Sequence, residues 1–150
     1  MKAIALDPGV TTGYAVGVID EGKMLVVTGQ ERWNHLGLYA FLEDNVPDVI
    51  VCERFEFRKK SREGLELFSR ELIGVANLYA QLFMAPPHTL KMQNAMKDSP
   101  STYFNDNRLR EDHIYKPGKD HSNDAARHLL YWFQFGSGFQ YNQHGYESAA

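Results

Sequence analysis

The chain has 150 residues, of which 43% are hydrophobic and 13% aromatic, so the sequence excludes a disordered protein and favours one globular domain. A single cysteine, Cys52, excludes an intramolecular disulfide and a cysteine-rich zinc site, and the sequence has neither a long apolar run nor a signal peptide, which favours a cytoplasmic protein. The formal net charge of −3 argues against a general nucleic-acid binder, although the charge is unevenly spread along the chain.

The N-terminal part of the chain predicts a three-stranded antiparallel meander. Short apolar runs at residues 2–6, 13–19 and 24–28 have the length and composition of strands. A polar, glycine-containing stretch at residues 20–23 separates the second run from the third, which predicts a β-hairpin.

A helix, a buried strand and a longer helix are predicted next. Apolar residues recur at helical spacing over residues 35–43, and Asn34 is a suitable N-cap for that helix. The stretch "DVIVC" at residues 48–52 is almost fully apolar, as in a strand that is covered on both faces in an α/β sheet. We expect this strand to join the meander through a right-handed helical crossover. An apolar stripe predicts a long helix over residues 61–83.

The C-terminal half contains one further clear helix. Residues 90–96 are expected to form a short helix, whereas residues 98–118 are polar and are expected to be irregular. Residues 121–135 again have helical periodicity. We therefore expect one domain over residues 1–136, built as a mixed sheet flanked by helices, and a flexible tail over residues 137–150.

Three acidic residues occur where predicted elements end or begin. Asp7 follows the first strand, and Glu53 follows the strand at residues 48–52. Asp124 lies in the first turn of the last helix, one turn after His121. If the first and fourth strands are neighbours, these side chains meet at one edge of the sheet. Such a cluster suits hard cations, and two cations about 3.5–4 Å apart clamp the attacking water and the leaving oxygen of a phosphodiester.

Each of these residues also has a structural interpretation. Asp7 is suited to cap the turn at Pro8-Gly9, and Asp124 to place a favourable charge near a helix N-terminus. Glu53, taken alone, is interpreted as a solvated acid at the end of a strand. His121 is a candidate cation ligand or proton shuttle. Asp120 competes with it as the extra ligand, or caps the helix instead.

Three further polar residues are considered, and none of them is assigned to the cation site. Thr11 and Thr12 lie in the turn after the first strand, where a DNA phosphate would pass, and the alternative is that their hydroxyl groups satisfy turn amides. His128 has no recognisable partner pattern and is interpreted as a structural or surface residue.

A basic stretch directly follows Glu53. Its cations and interleaved aromatic residues are Arg54, Phe55, Phe57, Arg58, Lys59, Lys60 and Arg62. Cations hold phosphates and aromatic rings stack on unpaired bases, so the stretch predicts contact with DNA, with Phe57 as the candidate stacking residue. The alternative is a solvated helix start with both phenylalanines packed inside.

Three segments, taken in order, resemble RuvC-type Holliday junction resolvases. "IALDPGVTTGYAV" (residues 4–16) is similar to the first strand of that family, in which Asp-Pro-Gly follows a short apolar run. "DVIVCERF" (residues 48–55) resembles the fourth strand. "HSNDAARHLLYW" (residues 121–132) resembles the last helix, in which an Asp or His lies three residues before the final Asp. The resemblance spans roughly residues 3–135.

This resemblance implies an RNase H-like fold whose mixed five-stranded sheet combines an antiparallel meander with parallel strands. It implies a homodimer that cleaves branched DNA with two Mg²⁺ or Mn²⁺ ions per active site, in a bacterial or phage-infected cell, and the short chain is similar to the phage-encoded branch. Asp7, Glu53 and Asp124 match the family's acids, and His121 matches the residue that completes the set. Lys91 and Lys97 stand where the family has DNA-contacting lysines.

The function predicted from the sequence is therefore a metal-dependent, structure-selective DNA endonuclease that cuts branched DNA such as Holliday junctions. Two alternatives stay open at this point. One is a nuclease on the same fold that is directed at flaps or replication forks. The other is a module that binds branched DNA without cutting it.

Overall fold

A computed structural model describes residues 1–54, 63–84, 90–93, 103–137 and 146–148 of the chain. The strands are β1 (Lys2–Asp7), β2 (Thr12–Asp20), β3 (Lys23–Glu31), β4 (Val49–Glu53), β5 (Leu90–Gln93) and β6 (Tyr146–Ser148). The helices are α1 (His35–Asn45), α2 (Glu63–Phe83), α3 (Asp106–Glu111) and α4 (Asp120–Phe135).

The strands of the described residues form one mixed sheet in the order β5-β4-β1-β2-β3-β6. The first three strands are the predicted antiparallel meander. Glu21 and Gly22 connect β2 to β3 with φ values of 49° and 77°, because a two-residue hairpin of this kind needs two consecutive positive φ angles. β4 pairs with β1 in parallel after the crossover through α1, and β5 pairs with β4 in parallel. The predicted class, a mixed α/β sheet flanked by helices, is confirmed.

The centre of the sheet is buried on both faces, because successive residues of a strand point to opposite sides. The odd-numbered apolar residues of β1 and β4, such as Val51, belong to a core cluster with residues of α4 such as Leu129. The even-numbered ones, such as Ile50, belong to a second cluster with Leu38 of α1 and Leu72 of α2. This two-sided burial explains why "DVIVC" has almost no polar residue.

The helices at residues 35–43 and 121–135 are confirmed, each with slightly wider bounds. The Asn34 side chain accepts a hydrogen bond from the Gly37 backbone N–H at 2.8 Å, as expected of an N-cap. α1 ends where Val46 adopts a left-handed conformation with φ 48°. α2 ends at the predicted residue, and residues 61–62 of its predicted start lie outside the described residues. Every helix that the structure describes is too short or too polar to span a bilayer.

The helix predicted over residues 90–96 is wrong where the structure describes it. Residues Leu90–Gln93 form β5, which pairs with the edge of β4, and residues 94–96 lie outside the described residues. A short apolar run fits a strand as well as a helix, and the unpaired backbone groups along β4 decide in favour of the strand.

Two further differences concern the C-terminal half. The stretch predicted to be irregular contains α3, whose N-cap Asn105 accepts a hydrogen bond from the Arg108 backbone N–H at 3.0 Å, whereas residues 98–102 lie outside the described residues. Tyr146–Ser148 pairs in parallel with β3, so the described residues form a six-stranded sheet where five strands were expected. Since that strand is only three residues long, local sequence carries almost no signal for it. Flexibility of the remaining tail stays a prediction.

Candidate active site

Two of the three acids meet at one edge of the sheet because of the register between β1 and β4. The strands are parallel, and Leu6 lies opposite Cys52. Asp7 and Glu53 are the next and last residues of the two strands. The two carboxyl groups lie close enough that Glu53 raises the pKa of Asp7. The predicted meeting of the two acids is therefore present in the fold.

Helix α4 lies against this edge and brings the third acid. Its first turn packs directly on the backbone of β2, where a Cβ at Gly13 would lie 1.8 Å from the His121 carbonyl oxygen. The His121 side chain consequently reaches Asp7, with Nδ1 at 2.9 Å from Oδ2. Asp124 follows one helical turn later and is close enough to interact electrostatically with both other acids.

The Thr12 side chain holds the turn between β1 and β2 through Gly9. The Thr12 hydroxyl donates to the Gly9 carbonyl at 3.0 Å, and it accepts from the Gly9 backbone N–H at 3.4 Å. Thr12 is fully buried, so its hydroxyl holds the turn and does not face a passing phosphate. The Asp7 carboxyl group is instead in contact with His121, whose Nδ1 lies 2.9 Å from Oδ2.

Burial and mutual repulsion shift the protonation of the acid cluster. Burial is the main reason that the pKa of Asp7 is raised to about 6, and the negative charges of Glu53 and Asp124 add to it, while the hydrogen bond to His121 opposes it. Burial also raises the pKa of Asp124, against the opposing effect of Arg127. The hydrogen bond to Asp7 raises the pKa of His121. The cluster therefore has a deficit of positive charge near neutral pH.

Each acid is paired with a basic side chain of α4. His121 contacts Asp7, the guanidinium group of Arg127 donates to Asp124 Oδ1 at 2.6 Å, and His128 Nε2 lies 3.2 Å from Glu53 Oε2. Within the ranges that the structure describes, no three His, Cys, Asp or Glu side chains are arranged to hold a metal ion as they stand.

The chemistry of the donor set nevertheless fits a divalent cation. Three carboxyl groups and one imidazole are the ligands that Mg²⁺ and Mn²⁺ accept. A cation at this edge would offset both the burial and the repulsion that raise the pKa of Asp7, and the relief of these costs would favour its binding. The role of Asp7, Glu53, His121 and Asp124 as ligands stays a prediction.

The remaining predicted site residues are only partly described. Asp120 is the first residue of α4, and Lys119 occupies the N-cap position, so the interpretation of Asp120 as the cap is wrong. Arg54 is exposed and directly follows Glu53. Lys91 lies in β5, with its Cα opposite that of Val51. The other predicted DNA-binding residues lie outside the described residues: Phe57, Arg58, Lys59, Lys60, Arg62 and Lys97.

Sequence reasoning missed two members of the site. Arg127 and His128 contact Asp124 and Glu53, although His128 is interpreted from the sequence as structural or surface. The available signal was helical spacing, since positions 121, 124 and 128 follow each other at intervals of three and four residues and therefore share one helix face. That spacing does not predict which strand of the sheet this helix face contacts.

An antiparallel meander followed by parallel strands, with α4 packed on one face so that His121 and His128 reach the carboxyl ends of β1 and β4, defines an RNase H-like α/β fold. The Thermus thermophilus RuvC structure in complex with a Holliday junction substrate matches the chain with a TM-score of 0.66 and 15% identity, over 91% of this chain and 97% of that chain. A second Thermus thermophilus RuvC structure matches with a TM-score of 0.59 and 14% identity, over 87% of this chain and 95% of that one. The RuvC-like fold implied by the sequence motifs is thereby confirmed. No protein-family model matches the chain, and no curated protein matches it in sequence.

The raised pKa of Asp7 predicts how the stability of the metal-free protein depends on pH. The Asp7 carboxyl group binds its proton more tightly in the folded protein than in the unfolded chain. Protonation of Asp7 therefore stabilises the fold fully below the ordinary pKa of 3.8, and this stabilisation is lost as pH rises through about 6. In EDTA, wild type should lose about 2–3 kcal/mol relative to Asp7→Asn between about pH 4 and pH 8. Urea unfolding of both proteins across this range checks it, and parallel stability curves would contradict it.

Proposed function

We propose that the protein is a divalent-metal-dependent endonuclease that cleaves phosphodiester bonds in branched DNA, with four-way junctions as the preferred substrate. The observation that carries the proposal is the convergence of Asp7, Glu53 and Asp124, from three distant parts of the chain, at one edge of a RuvC-like fold. A structural role alone does not explain why these acids lie together, because burial raises the pKa of Asp7 and of Asp124 and the charge of Glu53 adds to both shifts, which costs stability.

The acids would hold the cations, and His121 would complete the second cation site or exchange a proton with water. Two Mg²⁺ or Mn²⁺ ions would supply a reactive water and neutralise charge on the phosphodiester during in-line displacement. His121 is suited to its role because Nδ1 is fixed on Asp7 while 47% of the side chain is exposed to solvent. The protein supplies position and charge, and no side chain needs to form a covalent intermediate. The family resemblance implies 5′-phosphate and 3′-hydroxyl products.

The DNA strand would be held beside the acid cluster by basic residues. Arg54 is exposed immediately after Glu53, at the edge of the sheet where the acids meet. The cations at positions 58, 59, 60 and 62 continue the same basic stretch, and Phe57 is the candidate for stacking on an unpaired base. Lys91 and Lys97 are proposed as further phosphate contacts.

A homodimer is proposed because one face of α2 exposes large apolar side chains. Leu67, Leu78 and Leu82 are each more than half exposed, at 57%, 52% and 60%, and their spacing places them on one side of the helix. A two-fold dimer through this face would present two acid clusters to two symmetric DNA strands, which suits a four-way junction. Sedimentation of the purified chain tests the stoichiometry.

Cleavage of defined substrates tests the proposed function. We expect cutting of a four-way junction in the presence of Mg²⁺ or Mn²⁺, slower cutting of flaps and forks with the same arm sequences, and no cutting of the linear duplex. Faster cutting of flaps or forks would instead favour a nuclease on the same fold that is directed at flaps or replication forks. Tight junction binding without cleavage by either cation would select a binding module.

A further inference from the structure

Arg127 of α4 is held by three partners at once. Its Nη1 donates to Asp124 Oδ1 at 2.6 Å, its Nε donates to the Phe104 carbonyl at 2.8 Å, and its Nη2 donates to Asp106 Oδ1. Only 12% of the side chain is exposed. Phe104 and Asp106 do not belong to the acid cluster, so they fix the guanidinium group independently of Asp124. Arg127 is therefore a preset donor to that carboxylate.

His128, the next residue of α4, makes the corresponding contact to the acid of β4. Its side chain is fully buried, whereas that of Glu53 is 22% exposed, and Nε2 lies 3.2 Å from Glu53 Oε2. A ring enclosed in the core does not follow a carboxylate that rotates towards solvent. The contact therefore favours one orientation of Glu53 at the edge of the sheet.

We propose that Arg127 and His128 are positioning residues that fix the carboxylates of Asp124 and Glu53 for cation binding, an inference that rests on the proposed function. A carboxylate that is held through one oxygen loses less rotational freedom when its other oxygen binds a cation. Groups that orient ligands in this way typically contribute about 10–100-fold to metal affinity.

A purely electrostatic role makes the opposite prediction, which allows the two to be separated. If Arg127 acted only through its charge, its removal would relieve repulsion of the incoming cation, and Mn²⁺ would bind more tightly. If it positions Asp124, Mn²⁺ binds more weakly without it. Lysine keeps the charge but lacks the planar fork that serves three acceptors, so Arg127→Lys should restore little of the affinity.

Mn²⁺ binding to the full-length protein, followed by electron paramagnetic resonance near neutral pH without DNA, tests the proposal. We expect about 10–100-fold weaker binding for Arg127→Gln and for His128→Leu. His128→Gln keeps a hydrogen-bond donor and should bind within about threefold of wild type. Arg110→Gln is the control, because it removes a charge from α3 that contacts Asn107 and Tyr115 and not the acids.

The possible outcomes separate this inference from the proposed function. Unchanged or tighter Mn²⁺ binding by Arg127→Gln and His128→Leu would overturn the inference. Lower unfolding midpoints of these variants with unchanged Mn²⁺ affinity would overturn it as well. Wild type that binds no Mn²⁺ would overturn both the inference and the proposed function. If wild type binds Mn²⁺ and the variants bind it more weakly as expected, but wild type cuts no branched DNA, the inference is supported and the proposed function is rejected.

Discussion

Asp7→Asn is expected to abolish cleavage of branched DNA, with a loss of about a thousandfold or more, while the affinity for the junction stays within about twofold of wild type. The removed carboxylate lies beside both Glu53 and His121, so under the proposed function its loss would disturb each proposed cation site. Cation stabilisation of the reaction amounts to several kcal/mol, and each 1.36 kcal/mol is a factor of ten in rate. Single-turnover cleavage and binding in EDTA measure the two quantities separately.

The same substitution should stabilise the metal-free protein at neutral and higher pH. Asparagine carries no charge, so it removes both the cost of burying an ionised Asp7 and its repulsion of Glu53 and Asp124. A residue that served the fold alone would lose stability when changed. Loss of activity together with a gain in unfolding free energy would therefore mark Asp7 as a functional group.

Asp20→Asn is the matched control for this experiment. Asp20 is an exposed acid at the opposite end of β2, paired with Lys23 across the hairpin, and it lies away from the acid cluster. It should leave cleavage and stability near wild-type values. Normal cutting by Asp7→Asn, or an equal loss in both variants, would show that the cation site has been assigned to the wrong residues.

The positions of the acids were predictable because strand ends leave a clear signal. An apolar run fully buried on both faces ends abruptly at Asp7 in β1 and at Glu53 in β4, and two parallel neighbours must end at the same edge. Asp124 was predictable from its place in the first turn of a helix with strong periodicity. These inferences need only local composition and one assumption about strand order.

The partners of the acids were not predictable in the same way. The contact between His128 and Glu53 joins residues 75 positions apart, and it depends on the rotation of α4 about its axis relative to the sheet. The contacts of Arg127 with Phe104 and with Asp106, the first residue of α3, depend on a turn with little periodicity. β5 was missed for a related reason, since a four-residue strand is specified by the strand beside it and not by its own sequence.

The docking of α4 on β2 depends on Gly13, which lies within the motif at residues 4–16. A Cβ at this position would lie 1.8 Å from the His121 carbonyl oxygen, 2.2 Å from its carbonyl carbon and 2.9 Å from the Ser122 nitrogen. All three are backbone atoms of α4, so no side chain can rotate away to make room. Any larger residue must push the helix off the strand, together with His121 and Asp124.

Gly13→Ala is therefore expected to lower the free energy of unfolding by about 1–3 kcal/mol and cleavage by about a hundredfold, because a displacement of about 1 Å is enough to cost that much in rate. Gly74→Ala is the control: no atom lies within 4 Å of its added Cβ, and alanine in this helix should raise stability by about 0.5–1 kcal/mol. Urea unfolding and single-turnover cleavage of both variants check the prediction. A Gly13→Ala protein as stable and active as wild type would mean that α4 does not pack on β2 at this distance, and the geometry that brings His121 to Asp7 would be lost with it.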